Sequence, residues 1–107
     1  MRYLLLVYAP DDVRVELPDG WLGADAARTL RAAYALESVS TATSVRVRAN
    51  ETLVADGPFA ETEERLAGVC VLDGESLDEA IDAAARIPVA RAGTVEIRPV
   101  LRAEAAA

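Results

Sequence analysis

Asp56, Glu61 and Glu64 crowd into the run Asp56-Gly57-Pro58-Phe59-Ala60-Glu61-Thr62-Glu63-Glu64, between two apolar stretches. A carboxylate before Gly-Pro has two uses. Asp56 could act as a general base or orient a ligand, if a cleft raises its pKa. It could equally cap its own turn, accepting backbone N–H bonds from the loop that follows. Glu61 and Glu64, with Asp56, could offer oxygens to a hard cation. Their spacing matches no metal motif, and a solvated acidic loop is the plainer reading. Arg46 and Arg98 could hold an anion bidentately, or pair with Glu96 or Asp56. Tyr8 could point its hydroxyl into a cleft or pack in the core. The expected ligand-binding set is thus Tyr8, Arg46, Glu61 and Arg98, with Asp56 as the candidate catalytic base.

Other chemistries are absent from the chain. It has no histidine, so neither a Ser–His–Asp nor a Cys–His set can be built, and no Gly-rich phosphate loop occurs. Cys70 is the one cysteine. It sits in an apolar run with no charge nearby to lower its pKa, and reads as an inert buried thiol. No metal and no organic cofactor is expected.

These residues must be positioned by a single domain, since the chain has 107 residues. Hydrophobic residues make up 52%, enough for a packed core and too many for disorder. The net charge of −7 disfavours nucleic acid, because an acidic surface repels phosphates. No apolar run reaches the roughly 18 residues of a membrane span. The first run, Met1 to Ala9, is too short for a secretion signal and reads as a buried strand. A lone cysteine fits a reducing cytoplasm.

Tyr3 to Tyr8 and Leu66 to Leu72 are apolar on both faces, as central strands are. Thr43 to Arg48 alternates apolar and polar residues, turns at Ala49-Asn50 and returns over Glu51 to Ala55. Ala24 to Glu37 shows helical spacing, with Ala27, Leu30 and Tyr34 inward. Ala9 to Gly23 reads as a loop whose Trp21 and Leu22 pack on the body. Phe59 reads as a core plug beneath its loop. Ser76-Leu77-Asp78-Glu79 is a capping box opening a helix to Ile87, with Leu77, Ala80, Ile81 and Ala84 inward. Asp82 and Arg86 should pair along it. Val95 and Ile97 mark an edge-like last strand. The domain is expected over 1–100, with a frayed Ala-rich tail over 101–107.

The order strand, helix, hairpin, strand, helix, strand fits an α+β, ferredoxin-like (split βαβ) protomer with the two doubly apolar strands central. Two helices cover one sheet face. A second copy of the chain is the simplest cover for the other, which predicts a homodimer.

The chain resembles the YCII-related family in its DGPF subgroup. The matching pieces are Met1 to Tyr8, Thr41 to Arg48, Asp56 to Glu64, Ala83 to Pro88 and Val95 to Val100. The resemblance implies a dimeric α/β barrel-like assembly with a cleft near the signature loop. It implies that Asp56 is the counterpart of the Asp in a His–Asp pair read as catalytic. It also implies a stress or regulatory context beside an extracytoplasmic-function sigma factor. The chain departs from relatives in lacking the His, in a short Leu36–Ala42 link and in Glu63, where relatives carry Lys. A small-molecule-binding or regulatory dimer, taking a small anionic or aromatic ligand, is therefore expected. The alternative is a cofactor-independent lyase, isomerase or dehalogenase-like enzyme with Asp56 as base.

Overall fold

The computed structural model describes residues 1–16, 30–60 and 62–102. Its main sheet has four strands: β1 (Arg2–Ala9), β2 (Leu30–Ala35), β5 (Arg65–Asp73) and β6 (Thr94–Pro99). Their spatial order is β2-β5-β1-β6, and every neighbouring pair is antiparallel. Strands β3 (Thr43–Arg48) and β4 (Glu51–Asp56) form a separate hairpin, and α1 (Leu77–Ala85) is the one α-helix among the described residues. The class is α+β, and the strand order is compatible with a ferredoxin-like fold.

The doubly apolar strands β1 and β5 are the central pair, as their composition requires. Tyr3, Leu5, Val7 and Ala9 point inward and are buried with Cys70 and Leu72. Against them lie Ala80, Ala83 and Ala84 of α1, then Ile87 and Val89 beyond it. Alanine lets the helix backbone approach the sheet closely. Burial raises the Cys70 thiol pKa, which keeps it protonated and unreactive.

Ser76 caps α1, its Oγ accepting from Glu79 N–H at 3.4 Å. Glu79 reaches back to the N–H of Glu75 at 2.7 Å, one residue upstream of the expected partner. Arg86 pairs with Asp82 at 3.1 Å. Leu77 and Ile81, expected inward, are exposed, and Ala83 takes their place. The hairpin turn is confirmed, with Ala49 and Asn50 both at positive φ, 51° and 63°, the backbone of a two-residue primed turn.

One expectation fails in a larger way. Residues Leu30–Ala35 are a strand, not the end of a helix; the rest of that predicted helix, 24–29, lies outside the described residues, as do Trp21, Leu22 and tail residues 103–107. Helical spacing and alanine content are weak local preferences. The open edge of β5 offers a ladder of backbone partners, and Leu30, Ala32, Ala33, Tyr34 and Ala35 pair along it. Tyr34, read as inward, is consequently exposed.

The pairing also assembles a charge cluster that links distant chain segments. Asp73, at the end of β5, accepts from Arg2 Nε at 2.8 Å and also pairs with Arg31 of β2. Both guanidiniums hold its carboxyl well below the ordinary range. A depressed folded pKa contributes stability that is fully present above the unfolded pKa, near 4, and is lost as pH falls through the folded value. Melting temperature should therefore fall more steeply from about pH 4 downward in the native protein than in Asp73→Asn. Parallel pH profiles would refute this coupling.

Candidate functional site

The loop after β4 is built by backbone geometry. Gly57 adopts φ +94°, which L side chains rarely tolerate. Its N–H donates to Ala42 O at 2.7 Å, and its own carbonyl accepts from Ser44 Oγ at 2.8 Å. These two bonds tie the loop to the start of β3. The Asp56 carboxylate makes neither, and among the described residues it has no hydrogen-bond or ion-pair partner. The turn-capping role is thus corrected: the loop is closed by main chain and Ser44. Asp56 is itself exposed.

A β-bulge shapes the other wall. Val7 pairs with Gly68 and Tyr8 with Leu66, so Ala67 is skipped in the register. Ala67 gives its carbonyl to Leu36 N–H at 2.8 Å, drawing the Leu36–Ala42 link against the end of β5. That link closes as a short 3-10 turn, Val39–Thr41. Bulges re-aim side chains beside sites of this kind.

Between these walls lies a cleft of about 500 Å³, lined by Tyr8, Leu36, Val39, Pro58, Arg65 and Leu66 among others. An adjoining cleft of about 430 Å³ is bordered by Asp11, Arg14, Val15 and the same Arg65. Arg65 is the one cation among the described residues lining the first cleft. Its Nη1 meets Asp11 Oδ2 at 3.0 Å, and its Nε donates to the Thr62 carbonyl at 3.4 Å. The guanidinium is therefore held from two sides at the junction of both clefts.

The expected residues are spread more widely. Tyr8 lines the cleft. Asp56 does not, although its neighbours Gly57 and Pro58 border cleft space. Arg46 lies over the Phe59 ring, 4.8 Å from its centroid, a cation–π contact. Phe59 is 73% exposed, so it braces the hairpin root and is no core plug. Arg98 pairs with Glu96 at 3.1 Å on the far edge strand. Glu61 lies outside the described residues. Glu64, just before β5, accepts from Thr94 Oγ1 at the start of β6 at 2.8 Å. Among the described residues, no group of three His, Cys, Asp or Glu side chains could hold a metal ion, and no helix is long and apolar enough to cross a membrane.

Sequence reasoning passed over Arg65. Its clue is positional: it is the charge that opens a central strand whose interior, Leu66 to Leu72, is apolar, directly after the acidic signature.

The chain is 45% identical over 67 residues to an uncharacterized protein of Rhizobium meliloti (strain 1021), a match covering 61% of this chain and 54% of the relative. The chain thus spans about half the length of that relative. The family model of the YCII-related domain matches residues 1–104, nearly the whole chain, including both cleft walls. The chain belongs to the YCII-related domain family.

Proposed function

We propose that this protein is a small-molecule-binding homodimer of the DGPF subgroup, with a ferredoxin-like protomer in a dimeric α/β barrel-like assembly, acting in a stress-response or sigma-factor context. Its ligand is a small anion with an apolar or aromatic body. The observation that carries this reading is a largely apolar cleft whose lining holds one guanidinium, Arg65, beside the single carboxylate Glu37 among the described residues. Apolar walls supply affinity and a few placed polar groups supply orientation. Arg65 suits a carboxylate, whose two oxygens match its planar donors. Asp11 is the anion it holds at rest, and a ligand carboxylate would take that place.

A second copy fits the same reading. The face of the sheet opposite α1 carries Leu4, Leu6, Val69 and Val71. The cross-strand pair Tyr8 and Leu66 ends that row and also lines the cleft. A copy packed on this face would therefore wall the cleft. Asp56 stands outside the lining, so no acid–base role is assigned to it.

Calorimetric titration with 2-naphthoate, against neutral 2-naphthamide, tests the proposal. The carboxylate should bind at least about tenfold more tightly, a difference of about 1.4 kcal/mol. Arg65→Gln should erase that preference, and Arg65→Lys should retain part of it. Equal affinity for acid and amide, or a preference that survives in Arg65→Gln, would overturn the assignment.

A further inference from the structure

The two clefts share one boundary. The residues common to both linings are Leu36 to Val39 on one side and Arg65 with Leu66 on the other. Register explains the meeting. Strands β2 and β5 are antiparallel, with Ala35 opposite Gly68 and the Leu36 N–H bonded to the Ala67 carbonyl at 2.8 Å. The chain just beyond Leu36 and the start of β5 therefore run side by side, which brings Glu37 to the same boundary as Arg65. Among the described residues, these two are the charged residues common to both linings.

The two charges do not neutralise each other. Arg65 is held by Asp11 and by the Thr62 carbonyl. Glu37 has no hydrogen-bond or ion-pair partner among the described residues. Ser38, the other polar side chain at the boundary, is engaged with Ser40 Oγ at 3.0 Å. Glu37 is thus the acceptor left open there.

Opposite charges held apart in one cleft make a demand on the ligand. A bare carboxylate that takes Asp11's place on Arg65 meets two protein carboxylates, Glu37 and the released Asp11, which lines the adjoining cleft. Like charges repel more strongly where apolar walls thin the solvent. An ammonium beside the ligand carboxylate removes that conflict and gives Glu37 its partner. The chain's net charge of −7 acts in the same direction, since its field opposes a net anion and not a zwitterion.

We propose that the ligand is an amino carboxylate with an apolar or aromatic side group, its carboxylate on Arg65 and its ammonium on Glu37. This rests on the small-molecule reading above and narrows its anion to one that carries a positive charge of its own. It does not rest on the dimer.

The test is calorimetric titration at neutral pH with three compounds that share one benzyl body. L-Phenylalanine, phenylpropanoate and benzylmalonate place an ammonium, a hydrogen and a second carboxylate beside the first carboxylate. L-Phenylalanine should bind at least about tenfold more tightly than phenylpropanoate, and benzylmalonate should bind most weakly. Glu37→Gln, a change at an exposed side chain, should bring L-phenylalanine and phenylpropanoate to equal affinity without weakening phenylpropanoate. An amine preference that survives in Glu37→Gln would overturn the assignment. So would tightest binding of benzylmalonate, which would hand the second group to Arg14 of the adjoining cleft. If phenylpropanoate binds, loses affinity in Arg65→Gln and gains nothing from the amine, the inference fails while the small-molecule reading stands. Binding of 2-naphthoate alone has the same consequence. No binding by any of the four compounds overturns both.

Discussion

Gly93→Ala should lower stability by about 3 kcal/mol. A Cβ at this position would lie 2.1 Å from the Tyr8 carbonyl oxygen and 3.2 Å from Ala9 Cα. Both are backbone atoms of β1, so no side-chain rotation relieves the contact. Either the end of β1 or the turn before β6 must move. The Tyr8–Thr94 pairing lies beside it, and Tyr8 lines the cleft. Ligand binding should therefore fall along with stability. Denaturant unfolding is the measurement, and a loss under about 0.5 kcal/mol would show that the close approach is misread.

Two adjacent leucines should give opposite kinds of result. Leu5 is fully buried beneath α1, so Leu5→Ala should cost about 3 kcal/mol, through lost transfer energy and the cavity left behind. Leu6 faces the other way, paired with Val69 on the open side of the sheet. Leu6→Asp leaves the inner core intact and puts a charge into the proposed dimer face. It should abolish the dimer and yield aggregates, because so large an apolar patch does not stay in water as a well-behaved monomer. Light scattering separates the outcomes. A stable Leu6→Asp monomer would mean that the open face is tolerated as solvent-exposed surface.

Several features were legible because they are set by short-range pattern. The two-residue period of β1 and β5 is apolar on both faces, and only a central strand can use that. Asn50 marked a turn because few residues accept positive φ. Ser76 and Glu79 marked a helix start because first-turn N–H groups need local partners. Arg98 and Glu96 met as one of the two readings of that strand allowed.

What the residue pattern could not carry is everything that depends on a partner far along the chain. Leu30–Ala35 has helical spacing, but an open edge on β5, some 35 residues later, made it a strand, since backbone pairing outweighs a preference of a few tenths of a kcal/mol per residue. Phe59 looked like core, yet the loop tied by Gly57, Ala42 and Ser44 leaves it outside. Asp56 drew attention by its neighbours, while Arg65 gained its place from the bulge at Ala67 and from Asp11, more than 50 residues away. The sequence by itself determined which strands are central and where the chain turns, because those follow from periods of two to four residues. Only the tertiary structure decided which side of β1 is covered and which charge stands in the cleft. Those follow from register, and a shift of one residue turns every side chain of a strand to the opposite face.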